Sequence, residues 1–447
     1  FLFLLYTVAA GKQACGGSLV APTLIDLNGA FPRHLVLSDV DADGNTDVVY
    51  GNDGKVLGWF ENNVAGSGYH RWVPHVIDLI SESIVLVGLA PNLAGDGETG
   101  ILVLTQYRVI AYPRSTLAPY YMSETSRDIA SDFSSADDMA VIDIDADGLP
   151  DVVVSSTIVI IYMNIAAEPG FFAPNDAENT FSPFLAAGDI SGDGVPDLAL
   201  ASSSRLDWIP LNADGTFSGT PQLVASPSPS IQSDGAIIAD MDGDLDGDIV
   251  VFSTYRSNIV LALNDGAGGS WTTSTVISSV SSMQHVVVAD GNGDGKLDVF
   301  AAVFSGNRIY FYAGDGVGGF AASTTAVSTT RPYTVVVGHV DGDAVVDVVL
   351  VLVEHVEDLL EALQGRLEGG AGVAHQGGEL LGELRGRHEE PVHGVAARDQ
   401  GTEEDVGVLH QLDDVLVTVV EDGRDPAQVL QQAVDLVVLG RHVGRGR

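Results

Sequence analysis

Cysteine is almost missing from this chain: Cys15 is the only one in 447 residues. No intrachain disulfide can form, so stability has to come from packing and from bound ions. Lysine is nearly absent too, with Lys12, Lys55 and Lys296 the only three. Lys and Arg together number 20 against 61 Asp and Glu, and the formal net charge of −41 makes nucleic acid and anionic membrane surfaces poor partners. Long apolar runs are lacking: the ten residues Phe1–Ala10 (FLFLLYTVAA) are too short to span a bilayer as a helix. No Asn-x-Ser/Thr sequon occurs, and there is no Gly-x-Ser-x-Gly elbow, Walker loop or His-Glu-x-x-His pair. The familiar signatures of serine hydrolases, nucleotide hydrolases and zinc peptidases are thus missing.

What is present points to a packed, turn-rich protein. Apolar residues make up 45% of the chain and mean hydropathy is +0.21, which argues against disorder. Gly occurs 52 times, enough for many tight turns. The charge is concentrated in a recurring nine-residue pattern, with aspartate at positions 1, 5 and 9, Asp, Asn or Ser at position 3 and usually Gly at position 6. The clearest copy reads Asp143, Asp145, Asp147, Gly148 and Asp151. The others are Asp39, Asp41, Asp43, Gly44 and Asp47; Asp189, Ser191, Asp193, Gly194 and Asp197; Asp240, Asp242, Asp244, Asp246 and Asp248; and Asp290, Asn292, Asp294, Gly295 and Asp298. The fourth has Leu245 where the glycine belongs. Two worn copies begin at Asn92 and His339, so successive starts lie 46 to 53 residues apart. Seven copies at a period near 50 define a repeat architecture.

Alternate carboxylates on a tight loop converge on one point, and only a cation offsets their repulsion; a hard, all-oxygen set favours Ca²⁺. Such residues also favour plain hairpin turns, but turn chemistry alone would accept Asn, Ser or Gly where aspartate recurs at 1, 5 and 9. An EF-hand is excluded. Its position-12 glutamate is replaced here by Tyr50, Val154, Leu200, Val251 and Ala301, each inside a β-type run. Five calcium sites would return +10 of the charge.

Around every loop the grammar is the same. An apolar run precedes it, a second follows at once (DVVYG, DVVVS, DLALA, DIVVF, DVFAA), and then come a polar turn, a third run, a Gly/Asn/Asp turn and a weaker fourth run. This predicts an all-β chain of four-stranded antiparallel units arranged radially as a β-propeller, with seven blades or with six complete blades and a partial one. The seventh unit is cut after its second strand, and Thr23–Leu27 is expected to supply its outer strand, leaving strand 3 without a source.

These repeats resemble the FG-GAP/VCBS family, the calcium-loop repeats of integrin α-subunit propellers, over about residues 20 to 350. The resemblance implies one Ca²⁺ per intact loop, held by side chains at 1, 3, 5 and 9 and the backbone carbonyl at 7. Here those carbonyls belong to Asn45, Leu149, Val195, Asp246 and Lys296. The copies at Asn92 and His339 depart from the pattern and are assigned no metal.

The expected organisation is a leader remnant over 1–18, a propeller over 19–352 and a tail over 353–447. Phe1–Ala10 reads as the apolar core of a secretory signal, the alternative being a buried strand. Residues 351–447 contain no Phe, Trp, Tyr, Lys, Asn, Ser or Ile. That stretch reads either as an acidic, partly helical appendage or as translation of a frame not meant to be read. In an up-and-down blade the loops joining strands 2 and 3 share one face with the links between blades, opposite the aspartate loops. A protein or glycan partner is expected there. Trp59, Tyr162 and Trp208, at similar places in their third strands, are assigned to packing between blades rather than to sugar stacking. Two functions follow: a secreted or cell-surface, calcium-stabilised binding or adhesion module, or an extracellular polysaccharide-active enzyme on the same scaffold. An axial pocket with two carboxylates outside the loops would favour the enzyme.

Overall fold

The computed structural model describes residues 2–9, 23–25 and 32–354, apart from 53–54, 65–69, 116–119, 122–124, 132, 179–183, 203–204, 226–233, 267, 281, 322–323, 329–330 and 341–346. The leader residues 10–18 and the tail from 355 onward, with the readings made of them, lie outside the described residues. The chain divides into two compact units. One comprises Leu4–Thr23 and Ala30–Val353; the other comprises Phe1–Phe3, Leu24–Gly29 and Glu354–Arg447.

Six four-stranded antiparallel blades form a β-propeller ring in the first unit. They cover residues 32–79, 84–130, 138–178, 184–225, 235–278 and 283–328, numbered blades 1 to 6 here. Every blade is a simple meander, and the described residues contain no helix. A further pair, Pro332–Gly338 with Asp347–Glu354, is antiparallel and registered from Pro332↔Leu352 to Gly338↔Asp347. Its sheet also contains Leu2–Ala9 and Thr23–Ile25. The strand at 2–9 follows Asp347–Glu354, and the strand at 23–25 is outermost.

The burial pattern explains why the strands read as they do. Asp47–Asn52, Asp151–Ser155, Asp197–Ala201, Asp248–Ser253 and Asp298–Val303 are buried at every residue. These second strands are apolar on both sides because both faces of a blade are covered by its neighbours. Outer strands such as Phe172–Glu178 and Gln222–Ala225 are half-exposed to exposed and correspondingly polar. The described core clusters each lie between two consecutive blades, from the pair 1 and 2 through to the pair 5 and 6. Trp59, Tyr162 and Trp208 are buried in these layers, as the packing assignment expects, and Trp59 stacks on His75 at 4.5 Å between ring centroids.

Candidate functional site

Each intact aspartate loop joins strand 1 to strand 2 of its blade, and its local fold follows from two left-handed residues. Position 6 has φ of +90° at Gly44, +88° at Gly148, +85° at Gly194 and +80° at Gly295, and Leu245 adopts +76° in the same place. Position 4 is left-handed as well, at Ala42, Ala146, Gly192, Gly243 and Gly293. The two reversals wrap the backbone around the carboxylates. The position-1 aspartate accepts the position-6 N–H in all five loops, from Gly44, Gly148, Gly194, Leu245 and Gly295 at 2.8 to 3.1 Å. The position-5 aspartate accepts the position-7 N–H from Asn45, Leu149, Val195, Asp246 and Lys296 at 2.7 to 3.0 Å.

The position-9 aspartate does more than the sequence pattern implies. Asp47, Asp151, Asp197, Asp248 and Asp298 are all buried and open strand 2. In each, one carboxylate oxygen accepts the N–H of position 2 and the other accepts an N–H at the end of strand 3. In the second loop these donors are Ile144 and Asn164, both at 2.8 Å. The same pair of bonds recurs with Val40 and Asn62, Ile190 and Leu211, Met241 and Asn264, and Gly291 and Gly314. This aspartate ties three segments of its blade together.

Carboxylates converge in three loops. One oxygen each from Asp39, Asp41 and Asp43 lies within 4.8 Å of the others, as do those of Asp143, Asp145 and Asp151 and of Asp240, Asp242 and Asp248. Asp147 and Asp244 stay outside their triads, and Asp47 outside the first. The loops at Asp189 and Asp290 carry Ser191 and Asn292 at position 3, and no acidic triad forms there among the described residues. The donor set fits a hard cation. Asp143 Oδ1 is buried with no hydrogen-bond partner, which costs about 1–3 kcal/mol unless something positive meets it. Burial pushes Asp47 up to about 7 and Asp151 and Asp248 up to about 6, with neighbouring carboxylates adding to the rise against the pull of the backbone N–H bonds. Three acidic groups held this closely need a counter-charge, and no Lys or Arg side chain approaches these triads closely enough to form an ion pair among the described residues.

The worn loop at Asn92 keeps the turn without an acidic triad. Asn92 Oδ1 still accepts the Gly97 N–H at 2.7 Å, so the turn survives. Its Nδ2 donates to the Gly148 carbonyl at 2.7 Å, where a carboxylate could not. Gly100 stands at position 9, and a Cβ there would fall 2.4 Å from Leu93, which is fully buried in its place. Arg114 brings a fixed positive charge, pairing with Glu98 and donating Nε to the Val40 carbonyl of blade 1 at 2.9 Å. In the copy at His339, residues 341–346 lie outside the described residues. The His339 carbonyl accepts from Thr46 Oγ1 at 2.8 Å.

Sequence reasoning missed a second recurrent group. Asn62, Asn164 and Asn264 close strand 3 of alternate blades, and each Nδ2 donates to the position-2 carbonyl of the preceding unit's loop: Val340 at 3.1 Å, Leu93 at 3.1 Å and Ile190 at 2.7 Å. Arg114 is the counterpart in blade 2. The only available signal was the Asn ending the runs IVIIYMN and NIVLALN, which reads as turn chemistry.

The face opposite the loops carries a cavity of about 630 Å³. Its walls come from the starts of the innermost strands and the links between blades, with His34, Ile84, Asp137, Gln284, His285 and Tyr333 among them. It opens on the face where a partner was expected. Among the described residues, Asp137 is the only carboxylate on its walls.

Comparison with known proteins agrees with this architecture. The family model of the FG-GAP-like repeat matches residues 189–251, 245–301 and 290–350. None of the curated proteins matches the chain. Among solved structures, an Agrocybe aegerita lectin described as recognising non-reducing terminal N-acetylglucosamine aligns with a TM-score of 0.55 and 18% identity, over 79% of this chain and 95% of its own. BBS1N, solved in complex with ARL6DN, aligns with a TM-score of 0.51 and 11% identity, over 73% of this chain and 94% of its own. At these identities the likeness is one of fold.

Proposed function

The chain carries FG-GAP-like repeats, and from that premise we propose that it is a calcium-stabilised binding or adhesion propeller working outside the cell. The reading is carried by the buried, partnerless Asp143 Oδ1 inside a triad of carboxylates; triads of carboxylates, without such an oxygen, also form at Asp39 and Asp240. Calcium would be held by the side chains at positions 1, 3, 5 and 9, with the carbonyls of Asn45, Leu149, Val195, Asp246 and Lys296 completing the shell. An ion in each of the five loops would offset the local repulsion and lock the face of the ring on which the loops sit.

Export fits the ion, since low-affinity calcium sites fill where calcium is abundant. Residues 1–18 then contain the remnant of a secretory leader. Retained in the chain, Leu2–Ala9 would instead complete a seventh blade with Thr23–Ile25 and the pair at 332–354, as the strand order of that sheet supports. The binding role is supported by the contrast between the faces: one stiffened by loops, the other formed by variable turns around a cavity. Propellers of similar fold include one described as recognising a sugar and one solved with a protein partner, so a glycan or a protein is the class of partner. The enzyme alternative asked for a pair of axial carboxylates, and among the described residues the cavity walls present Asp137 alone.

The test is a thermal melt of the full chain in excess EDTA and in excess Ca²⁺. One site held at 100 times its Kd adds about 2.7 kcal/mol, and several sites add more. An unchanged melt removes the calcium part of the reading. A glycan array and a cell-surface protein screen, run with and without chelator, address the binding part.

A further inference from the structure

We propose that the cavity on the face opposite the aspartate loops is a binding site for an uncharged sugar. The inference rests on the binding-module reading and goes beyond it by assigning the place and the ligand class.

Size comes first: about 630 Å³ falls within the range of small-ligand sites, roughly 300–1,000 Å³. Charge comes next. Among the described residues no Lys or Arg lines the cavity, its two histidines, His34 and His285, carry no permanent charge, and the chain as a whole carries −41, so a phosphate, a sulfate or an acidic sugar would find no fixed cation to offset its charge. A cationic ligand is poorly served as well, with Asp137 the single carboxylate and Tyr333 the single phenol ring among the described residues. The remaining lining groups are neutral and two-handed. Gln106 and Gln284 each offer an amide donor and acceptor, and Ser83 and Tyr333 offer hydroxyls. Paired hydroxyls on a sugar ring need this mixture, and Ile84 and Val85 provide apolar surface for its C–H face.

The walls are also held in place before any ligand arrives. The His285 ring bonds through Nδ1 to the Val335 carbonyl at 2.9 Å, which joins the innermost strand of blade 6 to the next strand round the ring. Val335 carries only the carbonyl there, so Nδ1 bears the proton, and Nε2 of the neutral ring is an acceptor. The Asp137 N–H donates to Ser155 O at 2.8 Å, and the Gln106 carbonyl accepts the Ala136 N–H at 3.1 Å. Lining groups drawn from separate blades are therefore positioned by backbone bonds, which lowers the ordering cost of binding.

Saturation-transfer NMR on the full chain in excess calcium tests this. The probes are the methyl glycosides of glucose, galactose, mannose and N-acetylglucosamine, with methyl sialoside and N-acetyl-lysine methylamide as charged comparators. The expected result is binding of at least one neutral glycoside, weakened about tenfold or more by Gln284→Ala and by Asp137→Asn, with the calcium-shifted melt of both variants unchanged. Neutral binding that survives both variants overturns the site assignment. Binding of only a charged comparator, or of no glycoside, overturns the ligand class. A melt indifferent to calcium strikes at the parent reading and leaves the cavity result standing on its own.

Discussion

Leu245 holds a φ of +76° with 87% of its surface exposed, in a place where the other four intact loops have glycine. A left-handed non-glycine residue costs about 1–2 kcal/mol, and nothing in its exposed position returns that. Leu245→Gly should therefore raise stability by about 1 kcal/mol, less the entropy glycine adds to the unfolded chain, read as a higher urea midpoint at constant slope. A second residue-scale contrast separates ligand from strut. Asp143→Ala should remove one calcium from the stoichiometry measured by titration calorimetry while leaving the EDTA-treated protein about as stable as before. Asp151→Ala should destabilise by about 2–4 kcal/mol in either condition, because the N–H groups of Ile144 and Asn164 lose their acceptor inside the protein. Equal effects of the two variants in EDTA would undo this division of labour. The residue pattern made the carboxylates legible, since their spacing is local. The strut at position 9 was not, because its second partner sits 13 to 16 residues away across the blade.

At the scale of the loop and strand, acidity and calcium pull in opposite directions. In EDTA, Asp47 at about 7 and Asp151 and Asp248 at about 6 hold protons more tightly folded than unfolded. Their contribution favours the folded state below about pH 4 and is lost as pH rises through 6 and 7. With calcium bound the same carboxylates are kept ionised, so the sign reverses and the folded state gains above the unfolded value. Melts taken between about pH 5 and pH 8 should fall in EDTA and hold or rise in calcium, the gap widening with pH. Parallel curves would show that no ion meets these groups. The Asn clamps are the other element-scale device. Asn264→Ala removes two donated bonds, to Ile190 and Gly247, and leaves the N–H groups of Gly266 and Gly268 without the side-chain oxygen they now reach. A loss of about 2–3 kcal/mol in urea denaturation is expected. The clamps span 71 to 278 residues of sequence, which no local pattern reports.

For the whole ring, the repeat period and the two-sided apolar second strands already implied blades packed face to face, and six such blades stand as expected. Beyond the six blades, Leu2–Ala9, whose hydropathy reads as a leader core or as a buried strand, lies in one sheet with the pair at 332–354. Hydropathy is the same for a leader and a buried strand, so composition had no means of separating them. The chain at −41 should also be stabilised by added monovalent salt when calcium is absent, with a melt that rises from low to moderate ionic strength and flattens once calcium is supplied.

The sequence by itself determined the architecture and the chemistry of the loops. Strand period, turn residues and the spacing of aspartates act over nine to fifty residues, and each copy repeats the same instruction. The tertiary structure alone decided which carboxylates meet in a triad, which one is sealed away as a strut, and how Arg114 reaches the Val40 carbonyl where alternate blades use an asparagine. It also decided that residues from six parts of the chain would wall one cavity across the ring from the acidic loops. Those outcomes depend on closing the ring, and ring closure sets distances that the order of residues along the chain does not contain.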